Sequence, residues 1–196
     1  MQRTSIVIAL VTLVVPAALL SAQTPRSWAL KDAPAEYQDA AARAMKAFDA
    51  VQAALSSRLM EEMKAGGPTR AVSVCRDEAI PLTQKVAGEQ RIVALGRTSH
   101  LIRNPANAPR DWVKTFVEKA AGRKAGDVQA VVVNLGSRVG VLRPIGVTTA
   151  CTTCHGAREK QPESLRRALA EAYPSDKAVG FEEGDLRGFF WAEVRR

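Results

Sequence analysis

The stretch DVQAVVVNLGSRVGVLRPI, residues 127–145, decides the fold class that we expect for this chain of 196 residues. It contains two valine-rich apolar runs on either side of residues 135–137, where Gly136 permits a tight reversal. This pattern predicts two antiparallel strands joined by a short turn. The segments RIVALGR (residues 91–97) and LRGFFWAEV (residues 186–194) also have strand character, and we expect them to complete a small antiparallel sheet.

Helices are predicted before and between these strands. Residues 35–65 should form one long helix, because apolar residues recur there at spacings of three, four or seven and share one face. That stripe consists of Tyr37, Ala41, Phe48, Val51, Leu55 and Leu59. Gly66, Gly67 and Pro68 end this helix, and a second helix follows over residues 69–87 with a kink or break at Pro81. Shorter helices are predicted over residues 111–121 and 162–172. Helices that precede a small antiparallel sheet indicate an α+β fold class.

The composition is that of one ordinary globular domain, with 46% apolar and 24% charged residues. The 28 Lys and Arg residues outnumber the 20 Asp and Glu residues, which gives a net charge of +8. These basic residues are scattered along the chain, and no block of them is interleaved with aromatic residues. We therefore expect a basic, soluble surface and no nucleic-acid partner.

The N-terminus has the features of an export signal. Arg3 precedes an apolar run over residues 6–20, and Ser21 and Ala22 offer small residues for cleavage. The run is short for a membrane span, although a retained anchor is the alternative. We predict a signal peptide over residues 1–22 and a periplasmic domain over residues 23–196, with no stable membrane span after cleavage.

The most specific motif is Cys151-Thr152-Thr153-Cys154-His155, which matches the C-x-x-C-H attachment pattern of c-type haem. Two thiols three positions apart lie on one turn and can form thioethers with the two vinyl groups of one porphyrin. The imidazole of His155 then lies below the ring as an axial iron ligand. Because this attachment takes place outside the cytoplasm, the motif and the export signal support the same cofactor, one covalent haem c.

Three other interpretations of the cysteine pair are open. A structural disulfide between Cys151 and Cys154 leaves His155 unexplained. A thioredoxin-like redox pair requires a βαβ setting, which the predicted element order does not provide. A zinc site requires more ligands than His100 and His155 can add.

The sixth iron ligand is less clearly marked. Cys75 is an odd cysteine on the apolar face of its predicted helix, and the neighbouring charges of Arg70 and Arg76 would favour a thiolate. It could bind iron, or it could be a small inert residue of the core. The remaining candidates are Met45, Met60, Met63 and His100.

Four segments in this order carry a resemblance to a known family. They are AVSVCRDEAIPLTQKVA (residues 71–87), LGRTSHLIRNPANAPRDW (95–112), CTTCHG (151–156) and YPSDKAVGFEEGDLRGFF (173–190). Together they resemble a family of secreted PAS-like domains that carry a single c-type haem, found alone or as the input part of sensor kinases. The resemblance covers nearly the whole mature chain, and the function of this family is largely unassigned.

The resemblance implies a PAS-like antiparallel sheet flanked by helices, with a long N-terminal helix and one covalent haem. By position, Cys151 and Cys154 are the attachment sites, His155 is one axial ligand and Cys75 is the other. Arg97, Arg103 and Asn104 match a basic loop of the family, which suggests contacts with the haem propionates. His100 replaces the usual apolar residue at its position, and no role is assigned to it.

We therefore expect a periplasmic monohaem c-type cytochrome that acts in electron transfer or as a redox- or small-gas-responsive module. Two strong axial ligands leave no open iron position, so we expect that the protein is not an enzyme. The alternative is a peroxidase-like haem enzyme in which Cys75 is not bound. The expected partner is a redox protein or a membrane sensor, which the sequence does not identify.

Overall fold

The computed structural model describes residues 25–196. The signal peptide that the sequence predicts over residues 1–22 lies outside the described residues. Between residues 25 and 196, no helix has both the length and the apolar character that a membrane span requires.

Five antiparallel strands form one sheet. They are β1 (Ser27–Ala29), β2 (Ala94–Thr98), β3 (Val131–Asn134), β4 (Arg138–Gly146) and β5 (Leu186–Arg195). Their order across the sheet is β1-β3-β4-β5-β2, so the short strand β1 lies at one edge and β2 at the other. The predicted hairpin is present, because Val132 pairs with Val141 and Asn134 with Val139.

The turn of this hairpin is fixed by local chemistry. Gly136 has a φ of 78°, a left-handed conformation that glycine adopts without strain. The Asn134 side chain accepts a hydrogen bond of 2.9 Å from the Gly136 N–H. This turn sets the register of β3 and β4.

Five α-helices accompany the sheet. They are α1 (Ala35–Ser73), α2 (Ala79–Glu89), α3 (Asp111–Ala120), α4 (Thr149–His155) and α5 (Glu163–Ala172). A π-helical turn, Val74–Glu78, lies between α1 and α2. Pro81 offers no N–H to the carbonyl of Asp77, and the irregular turn lies just before this proline. The predicted disturbance at Pro81 therefore falls in the residues that precede it.

The long helix α1 reverses direction where the sequence predicts its end. Gly66 (φ −161°, ψ 17°) and Gly67 (φ 72°, ψ −169°) are not helical. Arg58 and Glu78, 20 residues apart, are in contact, with Nε of Arg58 2.7 Å from a carboxylate oxygen of Glu78. A straight helix would separate two such residues by about 30 Å. The chain therefore forms a helical hairpin with its corner at the glycine pair.

Two apolar layers cover the two faces of the sheet. On one face, α1 packs against β4 and β5, and the rings of Phe48 and Phe190 are stacked 5.5 Å apart. On the other face, Val113 and Val117 of α3 pack against a cluster that includes Phe189. Antiparallel strands with helices on both faces confirm the α+β fold class. Helix α1 confirms the predicted long N-terminal helix.

Two strands differ from the prediction. Strand β1 is not predicted by the sequence, because only three residues form it and it exists through pairing with β3. Strand β2 begins at Ala94 rather than at residue 91, since Arg91 has a φ of 53° and still belongs to the turn after α2.

Candidate functional site

The cysteine pair lies on the short helix α4, which begins after Thr148. Cys151 packs against a small cluster of Val147, Ala178 and Phe181. Cys154 packs against a different cluster formed by Val72, Leu165, Leu169 and Tyr173. Both thiols are free, so the structure does not contain the disulfide that was weighed as an alternative. Cys151 and Cys154 thus lie three residues apart on α4, and each packs against its own apolar cluster.

The imidazole of His155 is held in one tautomer. Its Nδ1 lies 2.8 Å from the carbonyl oxygen of Ala178, which can only accept a hydrogen bond. Nδ1 must therefore carry the proton, and Nε2 keeps a free lone pair. Burial lowers the pKa of His155 to about 3, and the positive charges of Arg187 and Arg103 act in the same direction. The ring is neutral, which is the form that binds a metal.

A buried ion pair stabilises the segment around His155. Arg103 and Asp176 are bonded at 3.0 Å, and their side chains are only 7% and 5% exposed. The same guanidinium donates to the carbonyl oxygens of Cys154 at 2.6 Å and Ala178 at 3.1 Å. Arg103 therefore joins the end of α4 to the loop that supplies the acceptor of His155.

Arg103 and Asn104 are thus occupied by contacts within the protein. The Asn104 side chain accepts a hydrogen bond of 2.9 Å from the N–H of Ala106 and caps a short 3₁₀ turn. The resemblance suggests that both residues contact haem propionates, and the structure shows that both also hold the loop together. A lone arginine in a sequence does not reveal whether its carboxylate partner belongs to the protein or to a ligand.

Cys75 lies in the π-helical turn, and its side chain is exposed. The prediction that it lies on the buried face of its helix is wrong, because Val74 and Ala79 are the buried residues there. The wider π-helical turn changes the angular register of the helix and moves Cys75 off that face. An accessible thiol does not fit the alternative of an inert core cysteine.

Arg97, and not the flanking Arg70 or Arg76, is the arginine whose charge is coupled to Cys75. The two flanking arginines are each paired with a carboxylate, Arg70 with Glu62 and Arg76 with Asp77. Burial lowers the pKa of Arg97, and a negative charge at Cys75 opposes that effect. Burial also raises the pKa of Cys154, and a negative charge at Cys75 adds to it. Cys75 is therefore electrostatically coupled to both Arg97 and Cys154.

Arg187 is a further arginine near His155, and no sequence motif predicts its place there. It donates a hydrogen bond of 3.2 Å to the carbonyl oxygen of Leu101, and its guanidinium lies 5.2 Å from the centre of the Phe181 ring. Burial lowers the pKa of Arg187 to about 10, with a further contribution from Arg103 and Arg97. Within the described part of the chain, neither Arg187 nor Arg97 forms a salt bridge with a carboxylate.

The other ligand candidates are placed differently. His100 meets the Phe181 ring edge to face at 5.8 Å, as His155 does at 6.4 Å. Burial lowers the pKa of His100, and the charge of Arg187 adds to this. Met45 lies on α1 and is partly buried against the core, Met63 is partly buried further along the same helix, and Met60 is exposed.

Taken together, these groups supply the chemistry that a c-type haem requires. Two thiols lie on one turn, a neutral imidazole offers a free nitrogen, and two cations without carboxylate partners can bind propionates. Among residues 25–196, no group of three or more His, Cys, Asp or Glu side chains is arranged to hold a metal ion by itself.

Comparison with known proteins gives one family and one solved structure. The model of a family described as Tll0287-like matches residues 30–194. The fold is similar to the crystal structure of the cyanobacterial heme-protein Tll0287, with a TM-score of 0.55 and 22% sequence identity. That similarity covers 84% of this chain and 98% of the other. No curated protein matches the sequence.

Proposed function

Because this chain belongs to the Tll0287-like family, we propose that it is a periplasmic haem protein of the c type, an electron carrier or a redox- or small-gas-responsive module. One haem is attached covalently through Cys151 and Cys154, and His155 is an axial ligand. The observation that carries this proposal is the hydrogen bond between His155 Nδ1 and Ala178, which leaves Nε2 free to bind iron.

Cys75 is the second axial ligand in this proposal. Its thiol is accessible, and a negative charge at Cys75 acts on the nearby Cys154. The haem supplies one-electron redox chemistry, and an anionic thiolate donor stabilises ferric iron and lowers the midpoint potential.

Arg97 and Arg187 bind the haem propionates. Each guanidinium is half-buried, and a buried cation needs an anionic partner to offset its lost hydration. Arginine also matches carboxylates with two parallel hydrogen bonds. Arg187 takes the role that the resemblance suggests for Arg103, whose guanidinium is already bonded to Asp176.

Two strong axial ligands favour electron transfer or sensing over catalysis, because no iron position is left for a substrate. Loss of the Cys75 bond would be the signal in a sensing role. A peroxidase-like enzyme remains the alternative, and it requires that Cys75 does not bind. The partner is a redox protein or a membrane sensor in the periplasm, in keeping with the predicted signal peptide.

The ferric absorption spectrum tests the ligand set. The full chain is produced in a host that attaches c-type haem, together with Cys75→Ala and the neighbouring control Ser73→Ala. We expect a low-spin, thiolate-type spectrum for the wild type and for Ser73→Ala, and its loss in Cys75→Ala. If all three spectra agree, Cys75 is not a ligand. A high-spin spectrum with peroxide turnover in the wild type would support the enzyme alternative.

A further inference from the structure

Four charged residues bridge the corner of the helical hairpin, and we refer to Arg58, Glu62, Arg70 and Glu78 as the ionic clasp. Arg58 donates from Nε and Nη2 to the two carboxylate oxygens of Glu78, at 2.7 and 3.1 Å. Arg58 is also paired with Glu62 at 2.7 Å, and Glu62 accepts a hydrogen bond from Arg70. The clasp therefore joins the part of α1 before the glycine pair to the segment after it.

The corner itself is shaped to let the clasp form. A side chain at Gly66 would collide with the side chain of Arg70, whose Cδ lies 2.6 Å from the position of a Cβ atom. In the conformation that bonds Glu62, the Arg70 side chain therefore occupies the space that a side chain at residue 66 would need. Gly67 provides the left-handed backbone, with a φ of 72°, that reverses the chain.

Glu62 is the most protected member of the clasp. The residue is only 8% exposed, and both of its carboxylate oxygens are bonded to arginines. Exposed ion pairs contribute little to stability, but a buried carboxylate that loses its partners is strongly unfavourable. The clasp therefore favours one position of the helical segment after the glycine pair relative to the segment before it.

Cys75 lies between two members of the clasp along the chain. Arg70 precedes it and Glu78 ends the π-helical turn that contains it. A π-helical turn is rare and is found mostly at functional sites, so its conformation depends on the contacts around it. The exposed side chain of Cys75 adds no packing of its own, whereas Val74 and Ala79 beside it are buried.

We propose that the ionic clasp positions the Cys75 thiolate for iron, so that breaking the clasp weakens the Cys75 bond without releasing the haem. This inference rests on the proposed function, because it assumes an iron ligated by Cys75. The members of the clasp are positioning residues, since they act on the iron only through the turn that carries the cysteine. The structure thus assigns a functional task to a corner that lies outside the haem-attachment motif.

The test uses the haem-loaded full chain and two clasp variants, Glu62→Gln and Glu78→Gln. Glu78 is partly exposed, so Glu78→Gln opens the clasp without leaving a buried group unpaired, in case Glu62→Gln fails to fold. The matched control is Glu193→Gln. Glu193 is 6% exposed and is paired with Arg110 at 3.4 Å and Arg138 at 2.7 Å, but it lies in β5 away from the corner.

Two measurements are made on each variant: the ferric spectrum and the rate at which a maleimide alkylates Cys75. We expect both clasp variants to keep covalent haem, to lose part of the thiolate signature and to react about tenfold faster, the factor that corresponds to one lost charge-assisted hydrogen bond. Glu193→Gln should melt at a lower temperature with an unchanged spectrum and alkylation rate.

Clasp variants with a wild-type spectrum and alkylation rate would overturn the inference while leaving Cys75 ligation intact. The same holds if Glu193→Gln changes the spectrum as much as they do, because the effect would then reflect general loss of stability. A wild type that lacks the thiolate signature overturns the inference together with Cys75 ligation, and that result is recognised from the Cys75→Ala comparison.

Discussion

His155 and Arg103 share one hydrogen-bond acceptor, the carbonyl oxygen of Ala178, at 2.8 Å and 3.1 Å. This relationship ties the orientation of the imidazole to the buried pair of Arg103 and Asp176. A change in that pair should therefore be transmitted to His155, the iron ligand that we propose, through the shared carbonyl oxygen of Ala178.

Asp176→Asn tests this connection. The substitution leaves the buried guanidinium of Arg103 without its anionic partner, and we expect the free energy of unfolding to fall by about 3 kcal/mol. An external imidazole should also displace His155 more readily. Denaturant unfolding and imidazole titration measure the two effects. The control is Asp111→Asn, whose exposed pair with Lys114 should contribute no more than about 1 kcal/mol. Equal effects of the two substitutions would show that the buried pair has no special role.

Arg187→Gln should lower the midpoint potential of the haem. If Arg187 binds a propionate as we propose, the loss of this half-buried cation removes a charge that favours the reduced state of the haem. It would also leave that propionate without a partner. We expect a decrease of up to about 60 mV, the shift that corresponds to a tenfold change for a one-electron couple. A spectroelectrochemical titration measures it. Arg123→Gln, an exposed residue bonded to the carbonyl of Asp127, should leave the potential unchanged. A potential that does not respond to Arg187→Gln would exclude its proposed role.

The same substitution should have opposite effects at two glycines. Gly67 has a left-handed backbone, so Gly67→Ala should lower the free energy of unfolding by about 1–2 kcal/mol. Gly88 lies in α2 with open space around it, so Gly88→Ala should stabilise the protein by about 0.5–1 kcal/mol. Thermal or denaturant unfolding distinguishes the two. Stabilisation by Gly67→Ala would mean that the corner is not fixed as the structure shows.

The contribution of Glu62 to stability should depend on pH. Hydrogen bonds from Arg70 and then Arg58 lower the pKa of Glu62 below its ordinary value. A carboxyl group of this kind stabilises the folded state above its unfolded pKa of about 4.3 and loses that effect as the pH falls through the folded pKa. The melting temperatures of wild type and Glu62→Gln should therefore differ most above about pH 5 and converge in acid. A difference that stays constant into the acid range would contradict this assignment.

Local signals explain the parts of the fold that the sequence predicts well. The hairpin between β3 and β4 depends on Gly136 and Asn134, and the helical hairpin depends on Gly66 and Gly67. Strand β1 exists only through its pairing with the distant strand β3. Its three residues do not alternate between apolar and polar, so the sequence does not predict it. Structural features that depend on neighbouring residues can be predicted from the sequence, whereas those that depend on long-range pairing cannot.

The candidate site shows the same division. The C-x-x-C-H motif is local, and the structure places its three side chains on one helix. The acceptor of His155 is a backbone carbonyl, which any residue at position 178 would supply. The position of Arg187 depends on the pairing of β5 with β2. Beside it, the backbone of Gly188 lies so close to Thr98 that a Cβ atom at residue 188 would be 2.1 Å from the Thr98 carbonyl oxygen. Such tertiary contacts leave no trace in the pattern of a single sequence.

We propose that one haem is bonded covalently to α4, and the intact mass of the purified protein is the measurement that decides this. The wild type from a host that matures c-type cytochromes should have the mass of the processed chain plus one haem. The double variant Cys151→Ser/Cys154→Ser should lack that increment, while Cys75→Ser should retain it. A wild-type protein with the mass of the bare chain would contradict the account.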